Sequence, residues 1–482
     1  MAALLFTHSY FLRFDSKQWK QQQPYPPLAT IYAASVMRQN GNQVALFDSM
    51  FAKNPNELIP FLEKEKPKYL IIYDDGFNYL TKMCLTNMRD AAFDMIRLGK
   101  EAGCKVIVSS SDSTDRYQEY LDKGADIIII GEGEITLLEV INSIEQQQSH
   151  EEIKGIAFIK NEKVIKTAKR DVLRDLDTLP MPAWDLIEME TYRNTWINTW
   201  GYFSLNMSTT RGCPFKCNWC AKPIYGNRYN VRSPKNVVEE MEYLKTHYQF
   251  DHIWFTDDIF GLQPGWINAF ATLTEGKNYR FKIQSRVDLL LEENNIIALA
   301  KAGCETAWVG AESGSQKILD GMDKGTTIEQ IYTATKLLKK NGIKPAFFLQ
   351  FGYLGETMDD IEQTIKMLLD LMPDDIGVSV SYPLPGTKFY DLVKDELKEK
   401  TNWKDSDELV LMFQNTYKPE FYKHLHRLIH KKYRKQQGFQ TLKDIIAEPG
   451  GMDYNKLIKV LSLCYYIPAA SVLNYRLKAL KK

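Results

Sequence analysis

Three of the seven cysteines lie within eight residues of one another, in the stretch STTRGCPFKCNWCAKPIYG. Three residues separate Cys213 from Cys217, and two separate Cys217 from Cys220. A structural zinc site takes four ligands, usually as two CxxC-like pairs, and no second pair or CxxH partner accompanies these thiols. Three thiolates in one loop suit a cubane cluster of four irons, which leaves one iron open to another ligand. The spacing therefore predicts a catalytic iron–sulfur site.

The elements around this loop alternate between strands and helices. From about residue 196 to 395, the strand candidates are YFSLNMSTT, HIWFTDD, FKIQSRVD, TAWVGAES, KPAFFLQFG and IGVSVSYPL. The first five are each followed by a helical pattern, so six βα-type units predict a TIM-type barrel or a partial (β/α)6 barrel. Such barrels keep their chemistry at the carboxyl ends of the strands. Polar residues end these strands at 257–258, 285–286 and 312–313.

The preceding segment, residues 1–145, predicts a separate α/β domain. Its strand candidates AALLFT, QVALFD, YLIIYD, KVIVSS and DIIIIG are continuously apolar, as in parallel strands covered on both faces. Five such strands with crossover helices predict a doubly wound, Rossmann-like fold that binds ligands at the carboxyl ends of its strands. Residues 146–195 predict a hairpin and a proline-containing linker, and residues 396–482 predict a charged helical region.

Composition narrows the class of protein. The 482 residues include 61 basic and 61 acidic side chains, as in a soluble globular protein, and a net charge of zero speaks against nucleic-acid binding. The amino-terminal stretch lacks the features of a secretory signal, so a cytoplasmic location is expected. The longest apolar run, 460–473, is broken by Pro468. We expect a packed helix pair there; the alternative is an interfacial segment that touches a membrane or a lipid-like substrate.

The motif CxxxCxxC, placed after the first strand of a predicted partial barrel, resembles the signature of radical S-adenosylmethionine (radical SAM) enzymes. The resemblance implies that Cys213, Cys217 and Cys220 ligate a 4Fe-4S cluster. It also implies that the open iron binds S-adenosylmethionine, which an electron from the cluster cleaves to a 5'-deoxyadenosyl radical. A small-molecule substrate and a reductant such as flavodoxin or ferredoxin would be its partners.

Several further residues match positions where that family contacts S-adenosylmethionine. The resemblance assigns Trp219 to the adenine, Asp257 and Asp258 to the methionine amino group, Ser285 to a ribose hydroxyl, Arg286 to the methionine carboxylate, Glu312 and Ser313 to the cofactor face, and Gly352 to close approach of the adenine. The residues alone leave other roles open. Trp219 could anchor the loop, the two aspartates could cap a helix, Glu312 could be an ion-pair partner, and Gly352 could simply end a strand.

The first domain resembles the cobalamin-binding domain of one large radical SAM subgroup, through PPLATIYAASVMRQNGNQVALFD and GADIIIIGEGE. The resemblance implies cobalamin contacts at the ends of the fourth and fifth strands. They would be made by Ser110, Asp112, Gly131, Glu132 and Gly133. The chain departs from the subgroup at 109–114, where SSSDST replaces the usual Gly-Gly-Pro-His. Since no DxHxxG motif occurs, the cobalt is not expected to carry a histidine ligand, and His8 is expected to be a core or loop residue.

The resulting hypothesis is a cobalamin-dependent radical SAM enzyme that breaks a substrate C–H bond and methylates the carbon. The chain also resembles the anaerobic magnesium-protoporphyrin ester cyclase group, whose outcome is oxidative ring closure. Two alternatives remain: a first domain that binds no cobalamin, and a non-catalytic cobalamin or cluster sensor. A second cluster, as in methylthiotransferases, would need three cysteines in the first domain, which has only Cys84 and Cys104.

Two other sets of residues are expected to be structural. The isolated cysteines, Cys84, Cys104, Cys304 and Cys464, are predicted to be small buried hydrophobes. His426 and His430 are helical neighbours that could bind a metal, but with no third ligand a solvated helix face is the favoured interpretation.

Overall fold

A computed structural model describes residues 3–397, 401–448 and 453–480. The predicted strands of the first domain all form, and the predicted hairpin joins them as two further strands. Their bounds are β1 Leu4–Thr7, β2 Val44–Phe47, β3 Tyr69–Tyr73, β4 Lys105–Ser109, β5 Ile127–Ile129, β6 Ile156–Lys160 and β7 Lys163–Lys166. The helices are α1 Ser16–Gln21, α2 Leu28–Gln39, α3 Ile59–Glu65, α4 Tyr79–Lys82, α5 Thr86–Glu101, α6 Ser111–Asp115, α7 Tyr117–Asp122 and α8 Glu134–Glu145.

The first sheet has the order β2-β1-β3-β4-β5-β6-β7, with β1 to β5 parallel and the hairpin antiparallel at one edge. Successive residues enter opposite cores: Phe6 and Ile71 belong to one apolar cluster, and Leu5 and Leu70 to the other. This alternation explains why the strands read as continuously apolar. The strand order changes direction between β1 and β3, which is where doubly wound sheets open a crevice for ligands.

The second sheet is a curled, open half-barrel. Its six parallel strands are β8 Ser204–Met207, β11 His252–Phe255, β12 Phe281–Ser285, β13 Cys304–Glu312, β14 Lys344–Phe351 and β15 Asp375–Val380, in that spatial order. A short antiparallel pair, β9 Thr210–Arg211 and β10 Asn230–Val231, stands apart from it. The helices are α9 Met189–Trp200, α10 Pro234–Tyr248, α11 Trp266–Thr274, α12 Glu293–Ala302, α13 Gln316–Gly321, α14 Ile328–Lys340, α15 Met358–Leu371 and α16 Lys388–Val393.

The two faces of the half-barrel differ in chemistry. On the helix-covered face, the rings of Phe255, Phe270 and Phe281 form an aromatic cluster with centroids 5.3–6.0 Å apart. On the concave face, Lys282 and Gln284 of β12 line a cavity instead. The period-2 alternation of a strand therefore separates a packed face from one that can hold a ligand.

The C-terminal helices are α17 Pro419–Ala447, α18 Tyr454–Leu461 and α19 Leu463–Ala479. The last two pack on α17, as expected, and Gly438 allows a close crossing because a Cβ there would lie 2.7 Å from a Leu463 methyl. Unlike the expectation from the interrupted run, the stretch 454–479 is long and apolar enough to cross a membrane by length and composition, and only 11% of it is buried. Cys464 lies on its exposed face, so the prediction that it is buried was wrong; Cys84, Cys104 and Cys304 are buried.

Candidate active site at the cysteine loop

The cysteine loop is closed at its base by backbone geometry. Strands β9 and β10 pair on either side of it, with Arg211 opposite Asn230. Gly212 has a φ of +79°, and a Cβ at this position would collide with the Arg228 carbonyl oxygen. Glycine is therefore required just before Cys213, because only glycine combines left-handed backbone with so close an approach.

Asn218, between the second and third cysteines, fixes the loop against the barrel. Its backbone N–H donates to the Met322 carbonyl at 2.9 Å, and its side-chain amide donates to the Gly321 carbonyl at 2.6 Å and to the Tyr353 hydroxyl at 2.8 Å. These partners follow β13 and β14. The loop is thereby held over the carboxyl ends of the barrel strands.

The bare thiols of Cys213 and Cys220 are protonated near neutral pH. Burial and the nearby Asp258 raise the pKa of Cys220 to about 12, and burial raises the pKa of Cys213 while Lys222 opposes the increase. Metal binding must therefore release protons from this loop. Among the described residues, no three His, Cys, Asp or Glu side chains lie close enough together to hold a single metal ion. A cubane bonds each thiolate to a different iron, so it does not require that proximity.

Arg286 links the predicted cofactor residues to the cysteines. It is buried and held by Asp288 at 3.0 Å and by the Lys324 carbonyl at 2.8 Å. From there its Nη1 reaches Cys217 Sγ at 3.7 Å, and the guanidinium lies 3.8 Å from the Phe215 ring centroid. A fixed guanidinium beside a predicted iron ligand is suited to a carboxylate bound at the open iron. Ser285, the preceding residue, is also buried.

Glu312 ends β13 in a left-handed backbone conformation, with φ at 55°, and its carboxylate accepts from Lys324 Nζ at 2.8 Å. A Cβ at Gly310 would lie 2.5 Å from both of these polar groups, so the strand needs glycine there. The ion-pair interpretation of Glu312 is confirmed. Ser313 Oγ shares a hydrogen bond with Thr364 Oγ1 and accepts one from the Ser315 backbone N–H.

The two aspartates after β11 have different environments. Asp257 is buried and accepts from the backbone N–H groups of Thr209 and Thr210 and from the hydroxyls of Ser208 and Thr209, at 2.6–3.1 Å. Burial still raises its pKa to about 6. Asp258 instead pairs with Lys82 of the first domain at 2.8 Å. Asp257 therefore positions the strand exit that leads into the cysteine loop.

Two remaining cofactor candidates lie at the same edge. Trp219 is half-buried, and its indole N–H is buried without a partner, so it is not a fully satisfied loop anchor. Gly352 has a φ of +75°, and a Cβ there would lie 2.9 Å from Leu411 and 3.2 Å from Tyr422. Packing of the C-terminal segment accounts for that glycine in this structure. Its approach to adenine stays a prediction.

The predicted cobalamin contacts lie together at the carboxyl edge of β4 and β5, but the protein uses them itself. Ser110 and Ser113 form a capping box at the start of α6. Asp112 accepts from Arg89 at 2.5 and 2.6 Å and from the Tyr120 hydroxyl at 2.8 Å. In this conformation the Ser110 hydroxyl oxygen and the Asp112 carboxylate therefore accept hydrogen bonds from within the chain.

The polar side chains of the neighbouring loop after β5 also have partners within the chain. Glu132 and Glu134 both accept from the buried Arg211, the residue before the cysteine loop. A Cβ at Gly133 would lie 2.6 Å from the Tyr73 hydroxyl, and one at Gly131 would lie 3.5 Å from the Ile224 carbonyl oxygen. Their side chains and close backbone contacts join the first domain to the cysteine loop.

Residues that sequence reasoning missed include Lys82, Arg211 and Lys324, each of which pairs with a predicted site residue. No local pattern distinguishes them from surface cations. One expectation was wrong: His426 and His430 do not lie on a solvated face but line a cavity, where burial lowers the pKa of each to about 4. His8 is confirmed as a satisfied buried residue, with Asp48 at 2.8 Å.

The chain combines a doubly wound sheet with a parallel half-barrel. A cysteine loop is held over the carboxyl ends of the barrel strands. This architecture is that of an α/β enzyme. Residues 207–368 match the family model of the radical SAM superfamily. The chain is 30% identical to a putative methylthiotransferase of Methanocaldococcus jannaschii over 65% of this chain and 68% of that protein. The chain belongs to the radical SAM superfamily and is a radical SAM enzyme.

Other relatives carry different names. An uncharacterized methyltransferase of Pyrococcus horikoshii is 28% identical over 79% of this chain and 81% of its own length. An anaerobic magnesium-protoporphyrin IX monomethyl ester cyclase of Rubrivivax gelatinosus is 29% identical over 78% of this chain and 67% of its own length. A relative named as a methyltransferase and one named as a cyclase therefore have nearly the same sequence identity to this chain.

Two solved structures share the fold. The cobalamin-dependent radical enzyme OxsB, with aqua-cobalamin and S-adenosylmethionine bound, has a TM-score of 0.74 at 17% identity and covers 98% of this chain and 72% of its own. The methyltransferase TsrM from Kitasatospora setae, with cobalamin and a [4Fe-4S] cluster bound, has a TM-score of 0.66 at 18% identity and covers 82% of this chain and 78% of its own. At these identities the likeness establishes the fold.

Proposed function

We propose that this enzyme binds a 4Fe-4S cluster through Cys213, Cys217 and Cys220 and cleaves S-adenosylmethionine to attack a substrate C–H bond. The observation that carries the proposal is Arg286, whose guanidinium is fixed 3.7 Å from Cys217 Sγ. A positive fork beside an iron ligand is what a chelating amino-acid carboxylate needs. Family membership supports the same assignment.

When bound, the cluster and S-adenosylmethionine supply a 5'-deoxyadenosyl radical that removes a hydrogen atom from the substrate. The residues of the chain orient these groups. Arg286, held by Asp288 and the Lys324 carbonyl, would meet the methionine carboxylate. Trp219, with an unpartnered indole N–H, would pack beside the adenine. The buried Glu312–Lys324 pair fixes the backbone segment whose Lys324 carbonyl holds Arg286.

The fate of the substrate radical is the finer part of the proposal. C-methylation is our first candidate, supported by the methyltransferase name of one relative and by the fold shared with two cobalamin-dependent or cobalamin-bound radical SAM structures. Oxidative cyclisation is the second, supported by the cyclase relative. Cobalamin is proposed from these likenesses alone. Its binding at the β4–β5 edge would require the Arg89–Asp112 pair to open or other groups of the edge to supply the contacts.

The experiment is anaerobic reconstitution with iron and sulfide, followed by reductant and S-adenosylmethionine labelled in its methyl group. We expect 5'-deoxyadenosine in the wild type, and no such product in Cys217→Ala. The matched control is Cys304→Ala, which changes a buried thiol at the start of β13 far from the loop. Label in a product other than methionine or the cofactor supports methyl transfer, and its retention in methionine supports cyclisation. An intact cluster with no cleavage would favour a sensor.

Cobalamin binding is tested separately, by adding hydroxocobalamin before desalting. A stoichiometric corrinoid spectrum in the wild type would support the cobalamin proposal. A protein that cleaves S-adenosylmethionine but retains no corrinoid would leave a radical SAM enzyme whose first domain is structural, and would overturn that part of the proposal.

A further inference from the structure

Outside the cysteine loop, a cavity of about 460 Å³ lies between the two sheets. Its walls are the concave face of the half-barrel and the carboxyl edge of the first sheet, where Tyr10 follows β1 and Asn78 follows β3. This is the crevice where the strand order of the first sheet changes direction. The volume lies within the usual range for small-molecule sites.

Lys282, on the concave face, is the residue that fold stability does not explain. Its Nζ lies 4.9 Å from the Trp254 ring centroid and 5.6 Å from that of Tyr25. Within the part of the chain that the structure describes, Nζ makes no hydrogen bond or ion pair. Burial lowers the pKa of this lysine to about 8. Asp375 opposes this decrease without forming an ion pair with Lys282. A partly buried lysine without an ion-pair partner costs folding free energy, and a ligand that supplies a negative charge would offset that cost.

The wall beside Lys282 is flat and aromatic. The rings of Trp308 and Phe348 stack with centroids 4.7 Å apart and an angle of 28° between their planes. Gly377 on the next strand makes room for them, because a Cβ there would lie 3.1 Å from Phe348. Tyr10 faces this wall from the first domain, and its buried hydroxyl has no hydrogen-bond partner among the residues that the structure describes. The cavity therefore offers apolar faces and an unused polar atom.

The charges around the cavity favour an anion. Its lining includes Lys17 and Arg434 as well as Lys282, whereas Asp375 is the one carboxylate among its lining residues. His426 and His430 also line it, and burial keeps both neutral at pH 7. A net positive surround of low polarity raises the affinity for a negative group.

Strand β12 leads from the cavity toward the predicted radical site. Gln284 lines the cavity, and the next two residues, Ser285 and Arg286, belong to the candidate active site. Four residues of a strand separate Lys282 from Arg286, which is about 13 Å. A molecule anchored at Lys282 can therefore extend to the carboxyl ends of the strands.

We propose that this cavity binds the substrate, and that the substrate carries a carboxylate or phosphate group held by Lys282 and a planar apolar body held by the aromatic walls. The proposal rests on the proposed function, since it places the reacting carbon at the cysteine-loop end of the cavity. Tyr10 supplies a second hydrogen bond to the ligand.

The test uses two fluorescent probes that share one aromatic body, 8-anilinonaphthalene-1-sulfonate and its uncharged analogue N-phenyl-1-naphthylamine. We expect Lys282→Met to weaken sulfonate-probe binding at least tenfold and to leave the neutral probe within twofold of wild type. The control is Lys344→Met, the same change at an exposed position that begins β14, two strands away from β12. Tyr10→Phe should weaken the sulfonate probe by a smaller factor. Circular dichroism checks that each variant folds.

Competition by 2-naphthoate and by 2-naphthyl phosphate then distinguishes a carboxylate ligand from a phosphate one. Equal binding of the sulfonate probe to wild type and Lys282→Met, or equal loss of both probes, would overturn the inference. The outcome is separable from that of the proposed function. Wild type that forms 5'-deoxyadenosine while Lys282→Met binds the probe normally would reject only the anion site. Lysine-dependent binding without 5'-deoxyadenosine formation would reject only the radical chemistry.

Discussion

Polar residues lie at the carboxyl edges of both sheets, but the two edges differ in whether these residues have hydrogen-bond partners. At the β4–β5 edge of the first sheet, Asp112 and Glu132 find partners within the chain, in Arg89 and Arg211. At the cysteine-loop end of the half-barrel, buried polar atoms of Asn218, Trp219 and Thr326 have no partner. Native proteins rarely leave buried polar atoms unsatisfied. The comparison therefore identifies the barrel edge as the one prepared for a ligand, and the β4–β5 edge as a closed joint between domains.

The largest expected effect comes from the cysteine loop. Serine at position 213 or 220 should abolish the visible absorbance of the reconstituted cluster, because a hydroxyl stays protonated where a thiolate is needed. Cys104→Ser changes a buried thiol of the first domain that is not part of the cysteine loop. This variant should therefore retain full iron and sulfide content. Iron analysis of the three proteins makes the comparison. Full cluster content in Cys213→Ser would show that the loop is not the ligand set.

The next largest effect tests whether the β4–β5 edge is a structural joint. Arg89→Met leaves the buried Asp112 carboxylate without its cation, and we expect a loss of about 3 kcal/mol in the free energy of unfolding. Urea titration measures it. The double variant Arg89→Met, Asp112→Leu should recover most of the loss, because it removes both charges. An Arg89→Met protein as stable as wild type would mean that this edge is not a structural joint.

Lys282→Met should change the free energy of unfolding in the opposite direction, by making the protein more stable. Because the folded state lowers the pKa of Lys282 to about 8, the unfolded state binds more protons between there and the ordinary value of 10.5. The wild type therefore gains stability as the pH rises through this window, and the full penalty is present below pH 8. We expect the variant to be more stable by about 2 kcal/mol at pH 7, less than the full shift implies because the cavity admits water. The difference should vanish above about pH 10.5, and a destabilised variant would contradict the unpaired-lysine account.

The smallest effect concerns Ser285. Its buried hydroxyl makes no side-chain hydrogen bond in the described structure, so Ser285→Ala should leave the urea midpoint unchanged. Loss of one hydrogen bond to a bound ribose should weaken S-adenosylmethionine about fivefold, or about 1 kcal/mol. Isothermal titration under anaerobic conditions measures the affinity. Ser143→Ala, on α8 of the first domain, is the control that should leave this affinity unchanged.

The sequence predicted the strands well because β1 to β5 are continuously apolar and the barrel strands end in recognisable polar groups. It also grouped the cysteines with Arg286 and Glu312, since each follows a strand whose end must lie at one edge of the sheet. It missed Lys282 and Tyr10 because their importance lies in what they lack, and a missing partner has no signature along the chain. It misjudged His426 and His430 because α17 turns that face toward a cavity formed by distant segments.

The central claim is that S-adenosylmethionine binds at the open iron of a cluster held by the cysteine loop, beside Arg286. Electron paramagnetic resonance of the reduced, reconstituted protein tests it most directly, with S-adenosylmethionine labelled with ¹⁵N and ¹⁷O at the methionine end. The account predicts that addition of the labelled cofactor shifts the cluster signal and adds hyperfine coupling from both nuclei, and that Arg286→Met loses these changes while keeping the cluster. A cluster signal that labelled S-adenosylmethionine leaves unchanged in the wild type would contradict the account.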